Sequence, residues 1–216
     1  MVDLKAAADE QQRTHYLRHG VKPPMFGVPA AVLRGVAKQV KRNQPIAEAL
    51  WASGNHDARI LATMIADPAL CAPETLERWC RTTENALLAE TLGAFAATFE
   101  NPLPRIDQWC RDRGEFVRAT GYYAAIALVR AGGGVPAEWV QKRIGAVAKD
   151  MNGAANRARE AMARALVAFG SGRDGTFAAA MTVAKRLGIV DIDHGEAGVK
   201  ELDLVAELTK ARAKRK

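Results

Sequence analysis

The sequence predicts an all-α chain, a solenoid of stacked helix pairs, and three observations carry that prediction. Trp51, Trp79, Trp109 and Trp139 stand 28, 30 and 30 residues apart, and two of them sit in nearly the same words, Trp79-Cys80-Arg81 and Trp109-Cys110-Arg111. Self-similarity at a fixed period of this size marks a repeat architecture. Helix breakers punctuate the same period at Ser53-Gly54-Asn55, Asp67-Pro68, Asn101-Pro102 and Gly132 to Pro136. No alternation of apolar and polar residues persists long enough to argue for a strand.

Each unit reads as a short helix ending near its tryptophan, a brief turn, and a longer helix. The long helices fall roughly at 55–66, 84–98, 114–130 and 154–169. Pro73, Pro102 and Pro136 stand at or near the first turn of the next helix, where a missing amide proton costs nothing. Runs such as Ala58 to Ala66 and Ala161 to Phe169 are nearly continuous apolar faces. One helix pair cannot bury them alone, but stacked pairs can. The tryptophans are expected as wedges between helices, the alternative being ligand contacts. Before the first unit, Asp3 to Arg18 reads as one helix and Lys22-Pro23-Pro24 as a break. A second helix, roughly Ala30 to Lys41, carries Arg34, Lys38 and Lys41 on neighbouring turns. A last helix runs from about Asp174 to Leu187. The division expected is a solenoid over residues 1–187 and a C-terminal extension over 188–216. That extension reads as irregular, then weakly helical, and ends in a basic tail with five bases in its final seven residues. Such an end suits a mobile electrostatic arm.

Composition narrows the function classes. Low aromatic content and abundant alanine suit close-packed helices better than a sandwich of strands. No apolar run approaches the ~18 residues of a membrane helix, and Met1 to Gln12 is too polar for a signal peptide. Cys71, Cys80 and Cys110 are odd in number, form no Cys-x-x-Cys pair, and read as reduced structural thiols of a cytoplasmic protein. The net charge is +7, and it is uneven: residues 1–100 are balanced, and residues 101–216 carry the whole excess. A basic face with an anionic partner accounts for this, as does a solvated surface with a basic tail. No cofactor or metal is expected. The chain has no Walker loop, no dinucleotide fingerprint and no His-Glu-x-x-His, and Asp191-x-Asp193-x-Gly195 lacks the later acid of a calcium loop.

Three segments carry a family resemblance. They are Phe26-Gly27-Val28-Pro29 with Leu33-Arg34 and Ala37-Lys38; Leu50 to Arg59 with Leu61-Ala62; and Val190-Asp191-Ile192-Asp193-His194-Gly195-Glu196. In order and spacing they resemble the bacterial DNA alkylation repair proteins of the AlkD type, over roughly residues 25–200. The resemblance implies a HEAT-like repeat solenoid, an α-α superhelix that cradles DNA on a concave basic surface. Active members are glycosylases that remove cationic N-alkylated purines with a carboxylate, an arginine and two tryptophans. Such a clamp makes physical sense, because aromatic faces attract a cationic base and a carboxylate stabilises the oxocarbenium-like sugar. Carried over residue by residue, the acid falls on Glu90 and the arginine on Arg118. The two tryptophan positions fall on Ala86 and Arg164, so both aromatics are missing and the acid is one methylene longer.

The residues themselves leave choices open. Glu90 is either a site acid or an ion-pair partner for an arginine of the next repeat, and Arg118 either that partner or a phosphate contact. Tyr122 follows Arg118 by one turn. Arg157 and Arg164, seven apart, share a helix face that suits phosphate contact. His56 and Arg59 share a face at a helix start, where His56 reads as a structural contact. The catalytic candidates are Glu90 and Arg118; the DNA-binding candidates are Lys38, Arg59, Arg118, Tyr122, Arg157 and Arg164. The expected function is a monomeric DNA-binding protein related to alkylation repair, contacting the DNA backbone and weak or inactive in base excision. Two alternatives are an active 3-methyladenine/7-methylguanine glycosylase using Glu90 and Arg118, and a protein-interaction solenoid.

Overall fold

The computed structural model describes residues 4–132, 134–172, 174–195, 199 and 201–214. Asp3, Gly133, Glu196, Arg215 and Lys216, which entered the sequence reading, lie outside these. Among the described residues the order is a 3-10 turn Lys5–Ala7, α1 (Glu10–Arg18), α2 (Ala30–Val40), α3 (Gln44–Ala52), α4 (His56–Ile65), α5 (Pro73–Arg81), α6 (Ala86–Ala96), α7 (Leu103–Cys110) and α8 (Glu115–Arg130). There follow α9 (Ala137–Asp150), a 3-10 turn Met151–Gly153, α10 (Asn156–Gly170), α11 (Asp174–Leu187), β1 (Ile189–Val190), β2 (Leu202–Asp203) and α12 (Leu204–Ala213). The chain is an all-α solenoid, as the repeat spacing predicts. Its pairs are α3/α4, α5/α6, α7/α8 and α9/α10, and the long helices α4, α6, α8 and α10 stack in sequence as one row.

The helix starts follow local chemistry. Asn43, Asn55 and Asn85 each accept the N–H three residues on and cap α3, α4 and α6, a bond worth about 0.5–2 kcal/mol. Pro73 opens α5. Asp9 caps α1 through Gln12 N–H, so among the described residues the first α-helix begins at Glu10, with a separate 3-10 turn at Lys5–Ala7 before it: a residue whose side chain satisfies that amide is held in extended backbone and divides the segment expected as one helix.

The tryptophans are the wedges expected of them. Trp51 and Trp79 stack face to face at 4.5 Å and 5°, and Trp79 and Trp109 are fully buried. Each indole N–H of the first and third ties its repeat to α5 or its C-terminal end: Trp51 Nε1 donates to Thr82 Oγ1 and Trp109 Nε1 to Glu77 Oε2. Trp139 breaks the pattern, because it stands near the start of α9 and not near its end. The loop closed by Pro136 starts this helix later relative to its tryptophan than in the other repeats.

The segment after α11 folds back onto the solenoid. Ile189 and Val190 pair antiparallel with Asp203 and Leu202. Asp203 caps α12 through Val205 and Ala206 N–H, and α12 packs on α10 and α11. Val190, Ile192, Leu204 and Leu208 join the main core; burying each leucine stabilises the helix by roughly 1.5–3 kcal/mol. A segment expected to be only weakly helical therefore ends in a ten-residue helix, and Lys210 and Arg212 ride on it. No helix among the described residues is long and apolar enough to cross a membrane.

Candidate nucleic-acid interface

The site begins with how α8 meets α6. A Cβ at Gly93 would stand 2.7 Å from the Ala124 nitrogen and 2.8 Å from Tyr123 Cβ. Glycine there lets the two helices approach and brings Tyr123 beside Glu90, one turn earlier on α6. Helix α10 then stacks on α8, and its N-terminus is fixed by Glu115, whose carboxylate accepts Arg157 N–H at 2.6 Å.

On α10 the buried Glu160 bridges two arginines. Arg157 Nη1 donates to Oε2 at 2.9 Å and Arg164 Nη2 to Oε1 at 2.7 Å. Burial alone would raise this carboxyl, but Arg164 and Arg157 outweigh it and hold it below the usual carboxylate range. Arg164 keeps half its side chain exposed, so a rigid pair presents one guanidinium outward. Beside it burial, with Glu160 as a second cause, pushes the Tyr123 phenol up, and it stays protonated. Glu90, Tyr123, Glu160 and Arg164 line a cavity of about 320 Å³ whose other wall includes Ile192 and His194 from the C-terminal segment.

The predicted residues are only partly brought together. Glu90 is exposed and not sunk in an apolar helix face. Arg118 does not meet it: its Nε donates to the carbonyl of Asp112 at 2.6 Å, across the turn that starts α8. Tyr122 is 1% exposed and offers a ligand no surface, so the neighbouring Tyr123 is the aromatic that α8 turns to the cavity. Arg157 and Arg164 share a face as their spacing requires, joined by the unforeseen Glu160. The signal was in the sequence, since Arg157, Glu160 and Arg164 stand at i, i+3 and i+7. Arg59 lies over the Trp51 ring at 5.4 Å and donates to the carbonyls of Trp51 and Thr82, which makes it a clamp on two helix ends. Lys38 is exposed on α2 beside Arg34, away from the cavity lining.

His56 is buried, as its structural reading expects. Its Nδ1 pairs with Asn85 Nδ2 at 3.3 Å and its ring meets Tyr16 edge-on at 4.7 Å. Burial lowers its pKa to about 4, so the ring is neutral at pH 7. The three cysteines are free and buried, and burial pushes the Cys110 thiol up to about 12. Among the described residues no cluster of His, Cys, Asp or Glu is placed to hold a metal ion.

Comparison with known proteins agrees with this architecture. A family model described as DNA alkylation repair enzyme matches residues 1–186. The fold is similar, with a TM-score of 0.88 at 23% identity, to a solved chain described as "A new family of proteins related to the HEAT-like repeat DNA glycosylases with affinity for branched DNA structures"; the match covers 98% of this chain and 92% of that one. No curated protein matches the sequence.

Proposed function

The chain belongs to the DNA alkylation repair enzyme family, and from that premise we propose that it binds DNA through phosphate contacts on the long-helix row while excising bases weakly or not at all. The observation that carries the binding half is the Arg157–Glu160–Arg164 bridge on α10. A guanidinium held by a buried carboxylate keeps its charge and loses its wandering, which suits phosphate contact without base readout. The excess positive charge of residues 101–216 supports an anionic partner of this kind.

Two observations argue against efficient excision. Glu90 and Arg118, the acid and arginine of the resemblance, point to different places, Glu90 into the cavity and Arg118 to the Asp112 carbonyl. Among the described residues no tryptophan lines the cavity; Tyr123 is its aromatic. The structurally similar protein is described as having affinity for branched DNA structures, so a junction is the DNA form to set against linear duplex. The test is fluorescence anisotropy with a labelled four-way junction and a linear duplex of equal length. The reading expects binding to both, tighter to the junction, and weakening steeply as salt rises. Absence of binding to either at low salt would refute it.

A further inference from the structure

The cavity beside α8 and α10 owes its outer wall to the C-terminal segment. Ile192, His194, Val199, Leu202 and Glu207 form that wall, and all five lie beyond residue 186, where the match to the family model ends. The wall is firmly built. Val190 and Ile192 are buried in the main core, and β1 pairs with β2. Asn156 Nδ2 donates to the Asp193 carbonyl at 2.7 Å, and Asp193 N–H donates back to Asn156 Oδ1 at 2.8 Å. A wall fixed in this way makes the cavity a preformed pocket. Its volume is about 320 Å³, which admits one small molecule and no duplex.

The polar groups of the pocket are not used up by the fold. Tyr123 is 5% exposed, yet among the described residues its hydroxyl has no hydrogen-bond partner; Glu160, Arg164 and Glu90 are charges around it. A buried donor without a partner is costly, and one that lines a cavity marks the place of a ligand atom. Glu90 and Arg130 line the same space, are exposed, and join no ion pair among the described residues. Arg130 stands seven residues beyond Tyr123 on α8, about 10 Å of helix rise. Between the two ends, Ile126, Val167, Ile192 and Leu202 supply apolar sides. One end of the pocket therefore offers a carboxylate beside a hydroxyl, and the other a guanidinium.

These groups select a chemistry. A carboxylate only accepts, and two N–H donors side by side satisfy both its oxygens. Guanine is the nucleobase that presents two such donors together, N1–H and the amino group, with a carbonyl oxygen beside them to accept from a hydroxyl. Adenine and cytosine set a ring acceptor beside their amino group, and that acceptor would face the carboxylate. In a duplex this edge of guanine is paired, so the base must be unpaired. A guanidinium one nucleotide length away suits the phosphate.

We propose that this pocket binds a single guanine nucleotide, with Glu90 accepting from N1–H and the amino group, the Tyr123 hydroxyl donating to the base carbonyl, and Arg130 on the phosphate. The nucleotide is either free or the unpaired end of a DNA strand. The strand-end source rests on the DNA-binding reading above, with Arg164 left to the backbone of that strand; the pocket itself does not depend on it.

The test is isothermal titration calorimetry with dGMP, dAMP and deoxyguanosine. Binding of dGMP is expected, with dAMP and deoxyguanosine each weaker by about tenfold or more. Tyr123→Phe removes one oxygen and keeps the ring, and should weaken dGMP by about fivefold. Arg130→Ala should weaken dGMP and leave deoxyguanosine unchanged, and Glu90→Gln should erase the preference for dGMP over dAMP. Both of these side chains are exposed, so neither variant endangers the fold. Absence of dGMP binding overturns the pocket, as does dGMP affinity that none of the three variants alters. Displacement of dGMP by a duplex with one unpaired terminal dG, and not by its blunt counterpart, identifies the strand end as the source; displacement by neither identifies the free nucleotide. Junction binding without dGMP binding removes the pocket and leaves the DNA reading, and dGMP binding without junction binding does the reverse.

Discussion

Asp57 accepts the backbone N–H of Val28 at 2.7 Å through Oδ1, while its Oδ2 accepts those of Phe26 and Gly27 at 2.6 and 3.1 Å. One fully buried carboxylate therefore holds the whole Phe26-Gly27-Val28 turn against the first repeat. Asp57→Ala strands three amide donors, two of them buried. The expected loss, read from urea unfolding, is about 3–5 kcal/mol. Asp57→Asn is expected to cost nearly as much, since its amide group turns donors toward donors. A loss under about 1 kcal/mol in either variant, the worth of one ordinary hydrogen bond, would show that the turn is held by something else.

His56 sets a pH window for stability. Its folded pKa of about 4 lies below the ~6.5 of an unfolded histidine, so the unfolded chain binds the extra proton first. Its contribution is complete above about pH 6.5 and is lost as pH falls toward 4, by roughly 3 kcal/mol. Glu160 and Asp112, whose carboxyls sit below their usual values, lose their contribution only at lower pH still. Urea midpoints should therefore fall between about pH 6.5 and 4.5 in the wild type and much less in His56→Gln. A flat wild-type profile across that window contradicts the buried, neutral ring.

The face-to-face indoles of Trp51 and Trp79 should couple their transitions. A paired positive and negative band is expected in the circular dichroism of the native protein. Trp51→Phe and Trp79→Phe should each abolish both lobes, and Trp109→Phe should leave them. Persistence of the couplet in Trp79→Phe would mean that the stack is not its source.

Base excision is expected to be near background. A carboxylate displaced by about 1 Å can cost ~10²-fold in rate, and losing aromatic contacts to a cationic base removes further stabilisation. Single-turnover release of 7-methylguanine or 3-methyladenine from alkylated duplex should match the spontaneous rate, with Glu90→Gln indistinguishable from wild type. Robust release that Glu90→Gln abolishes would establish the glycosylase alternative.

What the sequence made legible follows from distance along the chain. The tryptophan period, the breaker at Ser53-Gly54-Asn55 and the long helices are local patterns, and they read correctly, whereas the caps that Asn55 and Asn85 form emerge from the structure. The Arg157–Glu160–Arg164 bridge is also local, but nothing in the spacing marks the acid between the arginines as buried. Tyr122 and Tyr123 are adjacent, and only the α6–α8 crossing at Gly93 decides which one faces the cavity. The grip of Asn156 on the Asp193 backbone was out of reach: the two are 37 residues apart, and no periodicity announces a side chain gripping a backbone. Asp57 lay inside a recognised motif, yet its three acceptor bonds span 29 to 31 residues and appear only once α4 and the preceding turn are placed.

The proposed DNA contact rests on phosphates held by the arginines of α10. The most direct measurement is the slope of log affinity against log salt for the four-way junction, in wild type and in Arg164→Ala. If Arg164 holds one phosphate, its removal should lower the slope by about one and weaken junctions of every sequence alike. A slope unchanged in Arg164→Ala, or a loss confined to one sequence, would contradict the account.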